Sequence, residues 1–294
     1  MFVMFELKNK HLIKFLKKVV PFYREKKQLE IGLLSTLSKD GIWIYSLKKS
    51  GTTYTALFLS NYVNYCMGNK EAVSFDEMNM KYCVHSIDSK LKADNILQLH
   101  RENVFIKDQY KGYRSLFTTH RFIEGGFWSK NICLYRNPLD YIISSYFFQY
   151  VNRGKKMAHP RNIIDEKVEE FSLIINKQKE LEKNFPDKVL RVAYSELMRE
   201  PENTFSKMVN FLELEYDKNA LTLSIQNSSK KKVKEMESER GEAIVKKPGV
   251  KFKGSFVRSG KIGEWKDYFN DQDLKNIEEK LNHYNLSLKE FVLE

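Results

Sequence analysis

Residues Ile42–Tyr65, IWIYSLKKSGTTYTALFLSNYVNY, constrain this chain more than any other stretch. Ile42 to Leu47 is a short apolar run of β-branched and aromatic residues, which suits a buried strand. Leu57, Phe58 and Tyr62 recur at the spacing of one helical face. Between them, Lys48-Lys49-Ser50-Gly51-Thr52-Thr53 is a tight turn of basic, small and hydroxylated residues. A glycine lets backbone approach an anion, and the helix that follows presents unpaired N–H groups at the positive end of its dipole. Lys49 adds a mobile charge. The stretch reads as a strand–loop–helix phosphate cradle.

The usual nucleoside-triphosphate loop has its lysine after the second glycine, whereas here Lys49 precedes Gly51. Taken alone, K-S-G-T-T is equally compatible with an ordinary capped helix start. The formal charge of +12 and pI near 9.3 call for an anionic partner: a multiply phosphorylated nucleotide, a nucleic acid or an anionic membrane surface.

At 294 residues, 42% apolar and 30% charged, the chain has length and composition for one large α/β domain or two small ones. Cys66, Cys83 and Cys133 are odd in number and unpaired in spacing, which argues against a disulfide framework and for a reducing compartment. Scattered histidines give no metal-ligand spacing, so no metal is expected. No apolar run is long enough to span a membrane, and MFVMFELKNK lacks the pattern of a secretory signal, so the expected location is cytoplasmic.

Within residues 1–40, an N-terminal helical segment, HLIKFLKKVVPFY (His11–Tyr23) reads as an amphipathic surface helix ended by Pro21, or as a basic helix lying on a membrane. Residues 68–100 read as loops and one helix near Ile87–His100. Strands are expected at Tyr113–His120, Asn131–Tyr135 and Lys188–Tyr194, with helices at Leu139–Val151, Asp165–Lys183 and from Pro201 onward. Residues 227–262 read as a charged lid or linker, and a closing helix carries Leu274, Ile277 and Leu281. Strands alternating with helices predict a single domain, 1–294, built on a central, mainly parallel sheet flanked by helices. Lys49, His120 and Arg136 then fall at carboxyl ends of strands, where such sheets bind ligands.

Four separated motifs carry a family resemblance. Lys48–Tyr54 matches P-K-S-G-T-T-W at five of seven positions, and Arg136-Asn137-Pro138-Leu139-Asp140 with Ser144 matches R-N-P-x-D-x-x-x-S. Arg258–Lys266 matches R-x-G-x-x-G-x-W-K, and Thr119-His120 matches a Thr-His pair between the first two. In this set and order the chain resembles the cytosolic-type sulfotransferases that use 3′-phosphoadenosine-5′-phosphosulfate (PAPS) as sulfuryl donor, leaving 3′-phosphoadenosine-5′-phosphate (PAP).

The resemblance implies transfer of a sulfuryl group to a hydroxyl or amine of a small acceptor, such as a phenol, sterol or alkaloid, without a metal, nucleic acid or stable membrane insertion. It implies a catalytic set of Lys49, His120 and Ser144: Lys49 neutralising the leaving phosphate and His120 acting as general base. Ser50, Gly51, Thr52 and Thr53 would hold the 5′-phosphate, and Tyr54 and Tyr194 the adenine. Arg136 and Ser144, with Arg258, Ser259 and Gly260, would grip the 3′-phosphate, and Ser228 completes the donor-binding set. Trp265 matches a motif aromatic or is a plain core residue.

The chain departs from the pattern at Lys48 (usually proline), Thr118 (commonly lysine), Lys230 (often phenylalanine after a serine) and the unmet C-terminal dimer motif after Lys266. Two alternatives keep the same fold: a glycan-type sulfotransferase with Asp76 or Glu77 as base, and a catalytically impaired nucleotide- or nucleic-acid-binding protein.

Overall fold

Alternating faces of a five-stranded sheet organise the protein. A computed structural model describes residues 41–84, 116–120, 122, 130–151, 159–240 and 258–292. The expected N-terminal helix at His11–Tyr23, the helix near Ile87–His100 and part of the 227–262 segment lie outside them.

Strands β1 (Ile42–Ser46), β2 (Cys83–Val84), β3 (Leu116–Thr119), β4 (Lys130–Tyr135) and β5 (Val189–Ala193) form one sheet in the order β2-β3-β1-β4-β5. Every pairing is parallel, and β1 lies between β3 and β4 with Tyr45 opposite both Thr119 and Cys133. All five β1 residues are buried, as a central strand covered on both faces requires. Side chains alternate across it: Ile42 and Ile44 join one core cluster, while Tyr45 packs with Cys133, Leu181 and Val189 in another. Trp43 stacks on its register partner Phe117 at 4.8 Å. Cys83 and Cys133 serve as small apolar residues inside the sheet, and burial pushes the Cys133 thiol up to about 12.

Helix α1 (Thr52–Cys66) follows β1 and is buried nearly all round between layers, its polar Ser60 and Asn61 included; Ala56 to Leu59 have no exposed surface. It packs beneath α5 (Pro201–Phe211) and α6 (Lys218–Ser228), with Phe58 stacked on Phe205 at 3.7 Å. The Tyr62 hydroxyl donates to Glu215 O at 2.6 Å and accepts from Asp217 N at 2.9 Å, pinning α1 to the entry of α6.

A second cluster joins α2 (Pro138–Tyr146), α3 (Ile164–Asn184) and α8 (Asp271–Asn282) through Ile142, Phe171, Ile175, Ile277 and Leu281. Asn137 caps α2 ahead of Pro138, and a π-helical turn, Phe147–Val151, continues it. Gln178 of α3 donates to Tyr45 O and Leu134 O, fastening that helix to the middle strands.

Three elements differ from expectation. The strand β2 is only two residues long and carries too little pattern to read from sequence. Residues Lys230–Arg240, expected as part of a lid or linker, form helix α7. It is polar almost all round, anchored by buried Val233 and by the Lys232–Glu235 pair at 2.8 Å. Helix α4 (Tyr194–Arg199) begins where the β5 strand was expected to end.

Candidate active site

Four adjacent strands deliver one functional side chain each just past their carboxyl ends. β3 ends at Thr119 and is followed by His120; the turn after β1 carries Lys49; β4 is followed by Arg136 and β5 by Tyr194. The strand order β3-β1-β4-β5 therefore ranks them His120, Lys49, Arg136, Tyr194 along one sheet edge. At the usual spacing of parallel strands the row is ~14 Å long. β1 is also the switch point, since the chain leaves it first toward β3 and later toward β4.

The loop after β1 is held in an uncommon conformation. Lys49 has φ 65° and Gly51 φ 95°, both left-handed. For a lysine this costs about 1–2 kcal/mol, and such strain clusters at functional sites. A Cβ at Gly51 would lie 3.1 Å from Leu197 Cδ1 and 3.3 Å from Tyr194 Cδ2, so a larger residue would be crowded there as well as strained in φ. The Lys49 ammonium lies 4.1 Å from the Phe148 ring centre. Ser50 is fully buried, and its Oγ has no hydrogen-bond partner among the described residues. An orphaned buried hydroxyl beside a helix N-terminus fits a ligand oxygen.

Arg136 is the node. Only 6% exposed, it donates from Nη1 to Lys49 O at 3.4 Å and from Nη2 to Lys261 O at 2.7 Å. Its guanidinium lies over the Tyr194 ring, 4.4 Å from the centre, and its Nε is buried without a hydrogen-bond partner among the described residues. One side chain thus joins the turn after β1, the residue after β5 and the 258–266 segment. Tyr194 adds a contact from its hydroxyl to Gly260 O at 3.4 Å, and Gly260 is itself left-handed at φ 63°.

Asp140, 2% exposed in the first turn of α2, completes that convergence by accepting from Gly263 N at 2.8 Å and Trp265 N at 3.3 Å. Trp265 is half-buried and packs against the second core cluster.

His120 is positioned from β1. Both the hydroxyl and the carbonyl oxygen of Ser46 lie 3.0 Å from His120 Nδ1, and the same hydroxyl contacts Thr52 Oγ1 at 2.7 Å. A carbonyl only accepts, so a proton on Nδ1 satisfies it and leaves the lone pair of a neutral ring on Nε2. Thr118 and Thr119, buried in β3, set the histidine at the strand end.

The remaining expected residues divide. Arg258 makes a bidentate pair with Glu264, and Ser259 Oγ donates to the same carboxylate at 2.8 Å. Burial opposes ionisation there, yet Arg258 and Ser259 hold Glu264 below the usual carboxylate range. The fork assigned to a 3′-phosphate therefore carries an anion of the chain itself. Lys230 reaches Ser259 O, and desolvation, then the nearby Lys234, Lys261 and Arg258, hold its ammonium below the usual lysine range.

Tyr54 packs edge-on to Phe205 at 5.1 Å, and burial with neighbouring Tyr194 pushes its hydroxyl up to about 12. Ser144 is half-buried on α2, and no hydrogen bond links its side chain to Arg136. Ser228 is fully buried, and its hydroxyl turns back to Ser224 O within α6.

Sequence reasoning missed Ser46, Glu264 and Asp140 as supports. Asp140 had a signal, an acid early in a Pro-led helix inside a recognised motif; Ser46 had none beyond a hydroxyl ending an apolar strand. Among the described residues no group of His, Cys, Asp and Glu could hold a metal, and no helix is long and apolar enough to cross a membrane.

Residues 39–287 match the sulfotransferase domain family. The chain belongs to that family. Human Sulfotransferase 1C2 is 26% identical over 151 residues, so the match spans 49% of this chain and only 51% of that relative. Among solved structures, mouse sulfotransferase SULT7A1 complexed with PAP superposes with a TM-score of 0.62 at 15% identity, covering 89% of this chain and 90% of that one. Retinol dehydratase in complex with androsterone and inactive cofactor PAP gives 0.62 at 16% identity, covering 92% and 87%. These likenesses show that this sulfotransferase-family chain has the parallel α/β fold of those proteins.

Proposed function

We propose that this sulfotransferase-family protein takes PAPS as donor and transfers its sulfuryl group to a hydroxyl or amine of a small acceptor. The observation that carries this reading is the convergence on Arg136, which ties Lys49, Tyr194 and Lys261 into one cationic, partly desolvated site. PAPS, when bound, supplies a sulfuryl group already activated by a phosphate leaving group. The Ser50 Oγ and Arg136 Nε fit a doubly phosphorylated nucleotide, since both are buried polar atoms without a hydrogen-bond partner among the described residues.

In this reading Ser50, Gly51, Thr52 and Thr53 hold the 5′-phosphate at the α1 N-terminus, and Tyr54 and Tyr194 take the adenine. Arg136 and Ser144, with Gly260 and Lys230 nearby, hold the 3′-phosphate, while Arg258 and Ser259, engaged with Glu264, brace the segment that carries Gly260. Lys49 neutralises charge developing on the leaving phosphate oxygen. His120 Nε2 takes the acceptor's proton, its ring held by Ser46 through Nδ1. The row His120–Lys49–Arg136–Tyr194 has the order such a transfer needs, from base through leaving group to nucleoside.

A carboxylate base at Glu77 is less well supported, because that side chain closes a capping box with Ser74 N and Oγ at 3.1 and 3.0 Å. The acceptor class follows the resemblance, with an alcohol such as the androsterone held by the retinol dehydratase neighbour as the first to test. We also infer a cytoplasmic site of action from the cytosolic-type motifs, and one catalytic domain.

Incubating the protein with sulfur-labelled PAPS and a panel of phenols, sterols, alkaloids and amines should return a labelled acceptor. Release of no label to any acceptor, together with no PAP binding, would sink the proposal. Gly51→Ala should weaken PAP binding on the order of 10-fold or more, from a strained φ and a Cβ against Tyr194 and Leu197. Unchanged binding by calorimetry would contradict the cradle.

A further inference from the structure

The loop that carries Lys49 is fixed from one side by buried Ser50 and by Gly51, whose Cα faces Tyr194 and Leu197. Its other side is fixed by charge. Lys48, the residue before the strained Lys49, reaches Glu170 of α3, with Nζ 2.9 Å from Oε1. The second oxygen of Glu170 accepts from Lys167 Nζ at 2.6 Å, and Lys167 also binds Glu166 at 2.8 Å. Lys167 is only 1% exposed, so its ammonium cannot rotate into water and fixes the carboxylate's direction.

The charge of Glu170 is secure: against the opposing effect of burial, hydrogen bonds from Lys167 and Lys48 bring it to about 2. Lys48 is 41% exposed, and an exposed lysine ordinarily gains little from a carboxylate. Here its partner is already oriented by a buried cation, which lowers the entropy lost on pairing. With Gln149 and Leu173, these three residues also line an open recess beside the Phe147–Val151 turn that carries Phe148 under Lys49.

We propose that Glu170 is a positioning residue for Lys49, acting through Lys48: the Lys167–Glu170–Lys48 chain clamps the phosphate loop to α3 and keeps the Lys49 backbone left-handed. This gives Lys48 a task in a place where the family pattern has a rigid proline. A residue that must hold a strained φ needs restraint from both neighbours, and the clamp supplies the one that proline otherwise gives. The inference rests on the donor reading above, since it concerns the grip on a 5′-phosphate.

The test uses the full chain and calorimetry with two probes, PAP and adenosine 3′-phosphate, which lacks the 5′-phosphate. Lys48→Met leaves the buried Lys167–Glu170 pair intact, so the fold should be kept. It is expected to weaken PAP on the order of 10-fold while leaving adenosine 3′-phosphate within about twofold, and Lys48→Arg should restore most of the loss. Adding Glu170→Gln to Lys48→Met should cost PAP binding little more, because the two act as one unit.

Equal weakening of both probes, or additive losses, would make the clamp merely structural and overturn the proposal. Unchanged PAP affinity in Lys48→Met, with tight wild-type binding, would overturn it while sparing the donor reading. Absence of PAP binding by the wild type would sink the donor reading and this inference with it.

Discussion

Arg136→Ala is expected to weaken PAP binding by on the order of 100-fold, about 3 kcal/mol, the largest effect of any single truncation at the site. The side chain is 6% exposed and bonds to the Lys49 and Lys261 carbonyls while lying over Tyr194. Truncation removes a desolvated guanidinium from the phosphate site and leaves two carbonyls and an aromatic face without their partner. Arg136→Lys should fall between, since an ammonium restores charge but neither the fork nor the flat contact with Tyr194. Thermal melts should show a loss of a few degrees, because the same contacts join three segments. Wild-type affinity in Arg136→Ala would mean that the convergence is a packing feature with no part in donor binding.

The second large effect concerns His120. His120→Ala should lower kcat by roughly 10²–10⁴-fold, the range of a lost general base, with PAP affinity within about twofold. The separation follows from the strand order, which sets His120 beyond Lys49 from Arg136 and Tyr194. Glu77→Ala should leave kcat nearly intact and cost only cap stability, because its carboxylate is engaged with Ser74. Turnover with the acceptor returned by the labelled-PAPS panel decides between them. A fully active His120→Ala enzyme would move the base elsewhere.

Much of this was legible in the sequence because the informative residues sit where period changes to turn. The run Ile42–Leu47, the small residues after it and the apolar helix beyond fixed β1, the loop and α1 within a residue or two. Arg136 and His120 could be assigned to strand ends because Pro138 and the Thr-His pair end their strands locally. Lys48, by contrast, could not be understood from its neighbours, since its partner Glu170 is 122 residues away and its role depends on a buried Lys167.

A signal did exist: Lys167 lies four residues before Phe171, on the face of α3 that enters the core. Helix α7 was missed for the opposite reason. It is held mainly by its own charge pairs and by Val233 and Met236 at the core, so it lacks the longer apolar stripe by which helices are recognised. The Arg258–Glu264 fork was invisible because a motif names the residue types but not which anion they hold.

In the proposed reading, three separated motifs build one site for a nucleotide phosphorylated at both 3′ and 5′ positions. Calorimetric titration of the protein with PAP and with adenosine 5′-phosphate tests it most directly. The account predicts one PAP per chain, bound on the order of 100-fold more tightly than adenosine 5′-phosphate, the difference being the grip of Arg136 and its neighbours on the 3′-phosphate. Equal affinity for the two nucleotides, or binding of neither, would contradict it.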